Sequence, residues 1–353
     1  MAGRRDSLIS FGIVILAYIV IQIMISTGNI SSSLKGQLVP ICAYIVMAVS
    51  LNLTVGFLGE LSLGHAGFMS VGAFTGIVVT TSLAQAIPSA PLRLAIAMII
   101  GGIFAAVAGV IVGVPVLRLK GDYLAIVTLA FGEIIKNIIN VLYIGMDGNG
   151  LHFSLLEQRF ALEDGGKMII NGPMGVSGVT KISSFTSGII LILITLFLIL
   201  NLVHSRTGRA VMSVRDNRIA AESIGISATR YRLLAFVISA AFAGMAGTLY
   251  AMNFSTVTAN KFDFNTSILV LVFVVLGGLG NIWGSIIAAA LLTVLPELLR
   301  GLNDYRMLIY AILLIVMMIF NNSGLKTRLL EKRAARRAGD PQKKTELSDK
   351  EEV

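Results

Sequence analysis

Charge is what this sequence has least of. Of its 353 residues only 13% are Asp, Glu, Lys or Arg, against 56% apolar, and the mean hydropathy is +0.86. Ordinary soluble domains carry about a quarter charged residues, so too little polar surface is present here to cover a water-soluble body. Cysteine occurs once, as Cys42 inside an apolar run, which excludes an intramolecular disulfide and a cysteine metal site. The three histidines, His65, His152 and His204, are scattered and make no ligand cluster. A Gly-x-x-x-x-Gly-Lys-Ser/Thr phosphate loop is also missing, because Gly165-Gly166-Lys167 is followed by Met168. Catalytic triads, zinc motifs and redox cysteine pairs are absent too. No catalytic residue, metal or cofactor is therefore expected in this chain. The net charge of +9 comes without any nucleic-acid-binding signature, and the basic residues stand at the ends of apolar runs. That placement suits a lipid bilayer and excludes nucleic acid as a partner.

Long apolar runs are what the sequence has in excess. A helix needs about 20 apolar residues to cross a bilayer. Ten runs qualify, over 8–25, 38–57, 66–83, 93–117, 123–143, 186–203, 233–252, 266–280, 283–299 and 305–320. The expected fold is an all-α integral membrane protein of about ten transmembrane helices. Arg4 and Arg5 before the first run suggest a signal peptide. No small-x-small cleavage site follows, so the run reads as a retained first helix. With the N-terminus in the cytoplasm, the inner segments collect most of the basic residues: Arg4, Arg5, Arg118, Lys120, the arginines between 206 and 232, and the tail. Both termini are therefore expected inside. This divides the chain into a membrane domain over 1–325 and a charged cytoplasmic tail over 326–353. The domain includes an external loop, 144–185, and a basic cytoplasmic loop, 204–232.

Glycine-rich stretches break helices once in each half. The first holds Gly56, Gly59 and Gly64, the second Gly277, Gly278 and Gly280. Paired breaks are expected of an internal repeat with a path between its halves, although close helix packing also uses glycine. Around the first break, Asn52, Glu60 and Ser62 are candidates to line such a path. Glu60 is equally suited to being solvated at its mouth, and His65 reads as structural. Glu133 and Lys136, three apart in the fifth run, share a helix face. Charges at such depth face a bundle interior or a watery cavity, which leaves path lining and a structural ion pair both open.

The basic loop carries the most local detail. Asp216 or Asn217 suits a helix start, Ala220 and Ala221 give a slim face, and Gly225 suits a helix end. Arg215, Arg218 and Glu222 are placed to pair with charges on a partner. By these residues alone, a solvated loop that only sets orientation fits as well.

Several stretches together resemble a known family over roughly residues 38–325. They are Arg118, Lys120, Gly121, Asp122 and Tyr123 with Gly132 and Glu133; the run from Asn52 through Gly56 and 61–64 to 72–74; and 171–176, 274–280 and 301–305. The chain resembles the M-type permease subunits of the branched-chain amino-acid (Liv) ABC importers. It departs from their pattern at Pro173 and at 321–325, where an Arg-Pro pair is missing. The resemblance implies a type II ABC importer bundle in the cell membrane. Its implied partners are a second, H-type permease, two cytoplasmic ATPases and an external substrate-binding protein docking near 144–185. It implies inward passage of leucine, isoleucine or valine by alternating access, with ATP hydrolysis in the partner subunits. Arg215, Asp216, Arg218, Ala220, Ala221, Glu222 and Gly225 then resemble the short coupling helix on which ATPases dock. Two alternatives stand: the same importer class carrying urea, short amides or other amino acids, and an ion-coupled secondary transporter.

Overall fold

Apolar runs this long have no backbone partners in lipid except their own, so they close into helices. The computed structural model describes residues 2–28, 31–119, 121–148, 150–157 and 166–299, and beyond them residues 308, 309, 311, 312 and 315. In chain order the helices are α1 (Ala2–Ser26), α2 (Ser32–Asn52), α3 (His65–Ser82), α4 (Ala90–Val116), α5 (Asp122–Asn140), α6 (Phe185–His204), α7 (Arg206–Asp216), α8 (Arg218–Ser223), α9 (Ala228–Ala251), α10 (Phe264–Gly277) and α11 (Ile282–Leu298). Helix α2 continues into a π-helical turn, Leu53–Phe57. The tenth apolar run and the tail 326–353 lie outside the described residues, apart from the five helical positions between 308 and 315. The chain divides into two units, 1–297 and 298–353, and every contact below lies within the first.

Side-chain oxygens start several helices by accepting orphan N–H groups. Ser31 accepts from Leu34, Asp263 from Thr266, and Ser184 forms a reciprocal capping box with Ser187. Outer faces are apolar: Ile99, Ile103, Phe104 and Ile111 on α4, and Ile190, Ile194 and Phe197 on α6 are exposed. The inner face of α4 is instead small, with Gly101, Ala105 and Gly109 buried. Large apolar side chains outside and small ones inside are what lipid, rather than water, selects. Among the described residues, five helical segments are long and apolar enough to span a membrane: Ser32–Phe57, Ala90–Val116, Phe185–His204, Ala228–Ala251 and Ala259–Gly277. Phe11–Ser26 and Ile282–Leu298 are shorter apolar helices.

The centre of the unit is α9, packed against α2, α3 and α4. Glycine permits this approach. A Cβ on Gly247 of α9 would stand 1.9 Å from the Met69 carbonyl oxygen on α3, and one on Gly72 would stand 2.0 Å from the Gly244 carbonyl oxygen.

Two connecting segments are more ordered than loops. The loop 144–185 is partly a sheet, so the chain is mainly rather than wholly helical. Strands β1 (Leu142–Asp147), β2 (Gly150–Leu155) and β3 (Lys167–Asn171) pair antiparallel in the order β2-β1-β3. A short strand β4 (Val176–Ser177) pairs with β5 (Thr256–Val257). On β2, Leu151, Phe153 and Leu155 alternate with less exposed residues, a period-two pattern that glycine counting hides. The basic stretch 204–232 holds α7, the short helix α8 between Asn217 and Gly225, and the first turn of α9.

Candidate functional site

The two glycine breaks meet. The π turn after α2 shows the i→i+5 bond from the Leu58 N–H to the Leu53 carbonyl at 3.1 Å. Its Gly56 lies so close to the α10–α11 connection that a Cβ there would be 2.3 Å from the Gly280 nitrogen. Gly277 ends α10, and Gly278 and Gly280 take positive φ of 96° and 77° before α11 begins. Gly59 has φ 78°, and Gly64 precedes α3. Asn52, fully buried, joins the two breaks: its Oδ1 accepts from the Gly280 N–H at 2.9 Å, and its Nδ2 donates to Ser285 Oγ at 2.9 Å.

Asn52 is enclosed, with each of its polar atoms hydrogen-bonded, and the Ser62 side chain is buried. His65 is also buried, hydrogen-bonded through Nε2 to Ser50 Oγ at 2.9 Å. Segment 58–64 is held by Leu63 N–H donating to Thr128 Oγ1 at 3.0 Å.

Glu60 forms an ion pair with Arg232, near the start of α9. The same arginine donates to the carbonyls of Leu117 at 2.8 Å and Leu119 at 3.4 Å, beyond the end of α4. Both partners are largely buried. Burial pushes the Glu60 carboxyl above its ordinary value, against the downward pull of the Arg232 guanidinium. A cleft of about 200 Å³ opens here between Glu60, Arg215, Arg218 and Arg232, lined also by Leu58, Gly59, Gly121 and Val214.

Above this cleft, α8 is a helix of six residues defined at both ends. Asn217 caps it, its Oδ1 accepting from the Ala220 N–H at 3.0 Å. At its end the Gly225 N–H bonds the Glu222 carbonyl at 3.1 Å and the Ile226 N–H bonds the Ala221 carbonyl at 3.0 Å. With Gly225 at φ 87° this is a Schellman ending, which a β-branched residue at 225 would strain. Arg218 and Glu222 pair with each other at 2.9 Å across one helical turn. Asp216 ends α7 and pairs with Arg215 at 2.9 Å, while Arg215 Nη1 donates to the Gly56 carbonyl at 3.1 Å.

Ala220 and Ala221, expected together on a slim face, differ in exposure. Ala220 is exposed, but Ala221 is 3% exposed and packs with Val214 and Ala228, so it anchors α8 to its own chain. The outward residues missed by the sequence reading are Ile219 and Ile224, exposed by 81% and 75%. The signal was available in two isoleucines, Ile219 and Ile224, standing five apart in an otherwise basic, polar segment. Arg232 was missed as well, being one more arginine in a basic loop.

Glu133 and Lys136 pair with each other on α5 and are half-buried. Glu133 faces a narrow crevice shared with Gly67, Asp263 and Ser267. Bordering Glu133 on α5, Tyr123, Ile126, Ile134 and Ile138 form an exposed stripe.

Helices whose outward faces suit only lipid make this a multi-pass membrane protein, and broken helices pressed together at their glycines are a construction used by transport proteins. The chain belongs to the family described as branched-chain amino acid transport system / permease component, whose model matches residues 33–320. It is similar to the high-affinity branched-chain amino acid transport system permease protein LivM of Salmonella typhimurium, with 37% identity covering 86% of this chain and 71% of that one. The LivM protein of Escherichia coli is 39% identical, covering 80% of this chain and 67% of its own length. The LivH permease protein of Salmonella typhimurium is 23% identical, covering 81% of this chain and 91% of its own. No solved structure matches.

Proposed function

We propose that this chain is the M-type permease subunit of an ATP-driven importer and passes branched-chain amino acids into the cytoplasm. In this reading α7, α8 and the cleft at Glu60 face the cytoplasm, both termini lie inside, and the small sheet faces outward. The basic residues near α7–α9 suit the inner side. Two separate ATPases supply the energy, and α8 is their docking helix. The similarity to both LivM and LivH supports a pore built from two homologous permeases. The exposed stripe on α5 is then the face turned to the second permease, with the Glu133–Lys136 pair ordering the adjoining path, since such charges avoid lipid. An external binding protein docks over the sheet, where Leu151, Phe153 and Leu155 are exposed.

The observation that carries the reading is α8 itself: capped at both ends, anchored by Ala221, and presenting Ile219 and Ile224 to the outside. Each isoleucine is worth about 1.5–3 kcal/mol when covered, so Ile219→Asp with Ile224→Asp is expected to weaken ATPase attachment by tenfold or more. The fold should survive because both side chains touch solvent. Co-purification of the ATPases and leucine uptake into proteoliposomes check this. The reading fails if the double variant keeps both, or if the lone wild-type chain accumulates leucine against a gradient.

A further inference from the structure

We propose that Arg215 and Asn52 are successive links of one relay, which carries displacement of α7 and α8 into both broken helices. The proposal rests on the importer reading and names how movement at the docking helix reaches the membrane. Arg215 leaves α7 with its aliphatic stem against Gly59, where a Cβ would come within 2.6 Å of its Cγ. Its guanidinium donates to the Gly56 carbonyl at 3.1 Å, inside the π turn. Gly56 in turn is pressed on Gly280. One turn back, Asn52 spends both ends of its carboxamide across the gap, on the Gly280 N–H and on Ser285 Oγ, each at 2.9 Å. The chain of contacts thus runs from α7 to the π turn, and from there to the α10–α11 connection and the first turn of α11.

Three features separate a relay from ordinary packing. The Arg215 side chain is 39% exposed, so its reach to a carbonyl 159 residues away is not forced by burial. The element it grips is a π turn, a rare interruption of an α-helix that occurs frequently at functional sites. The far link, Asn52, directs both polar atoms at the other break, its Oδ1 to the Gly280 N–H and its Nδ2 to Ser285 Oγ, which ties the two breaks together.

The test uses the whole importer in liposomes: this chain, the second permease, both ATPases and the binding protein with leucine. Uptake and ATP hydrolysis are measured in the same vesicles. Arg215→Met keeps the stem and removes the donor, and Asn52→Leu keeps the volume and removes both hydrogen bonds. Leucine imported per ATP hydrolysed is expected to fall about tenfold in each. The double variant should be no worse than either single one, because the links act in series. The relay is overturned if uptake and hydrolysis fall in proportion, if neither changes, if the two losses multiply, or if Arg215→Met releases the ATPases, which would make Arg215 a docking residue. Should Asn52→Leu not assemble, the Arg215→Met ratio decides alone. A wild-type complex that shows no ATP-dependent uptake removes the importer reading and the relay with it.

Discussion

Gly247→Val is expected to leave no folded protein in the membrane. The position lies where α9 crosses α3, and a Cβ there would meet the Met69 carbonyl oxygen at 1.9 Å and the Ala73 nitrogen at 3.0 Å. Both obstacles are backbone, so no rotamer change relieves the clash. Moving α9 away would also open the neighbouring crossing, where Gly72 abuts Gly244. Overpacking of a side chain into adaptable surroundings costs about 1–3 kcal/mol. Here the helices themselves must part, and the whole margin of a folded protein is only about 5–15 kcal/mol. The measurement is the yield of monodisperse protein from the membrane fraction. Gly12→Val serves as the control, because nothing lies within 4 Å of a Cβ at that position on α1. Equal yields from the two variants would contradict the packing described for α3 and α9.

The second large effect is expected at Arg232. Replacing it with Met strips Glu60 of its ion pair and the carbonyls of Leu117 and Leu119 of their donor. Removing one partner of a buried pair costs about 3–5 kcal/mol, mostly because the other charge is left without compensation. Adding Glu60→Gln to Arg232→Met should therefore restore part of the loss, which thermal unfolding in detergent can follow. A pH dependence comes with it. Burial already raises the Glu60 carboxyl, and losing Arg232 removes the main opposing influence. A raised carboxyl binds its proton more tightly in the folded state, so stability falls as pH rises from the unfolded to the folded value. Arg232→Met should accordingly be less impaired in mildly acidic than in alkaline buffer. A variant equally stable in both, or one that Glu60→Gln makes worse, would contradict the assignment of this pair.

The helices were legible because hydrophobic length is a local property. The runs at 38–57, 93–117, 186–203 and 233–252 became α2 with its π turn, α4, α6 and α9 with ends displaced by a few residues. Gly225 and Asn217 were legible for the same reason, as capping chemistry is written within one turn. What stayed hidden depends on residues far apart in the chain. The hydrogen bonds of Asn52 could not be foreseen because its partners, Gly280 and Ser285, are more than two hundred residues away. Arg232 looked like one basic residue among several until the fold set it against Glu60. Ala221 looked outward-facing because a six-residue helix has too few turns for its periodicity to mark a buried side. The sheet was masked by glycine around strands whose alternation is clear only once β1 and β2 are paired.

The wider turn at Leu53–Phe57 gives the C-terminal end of α2 a spare residue. Letting that residue back into ordinary α geometry would advance the following chain by about 1.5 Å and swing it by roughly 100°. Such a step costs no net loss of hydrogen bonds, since each amide exchanges one carbonyl for its neighbour. It would carry Gly59 and Glu60 out from beside Arg215 and Arg232. A small screw motion is thus open to the π turn where Gly56 abuts Gly280, without unwinding the rest of α2.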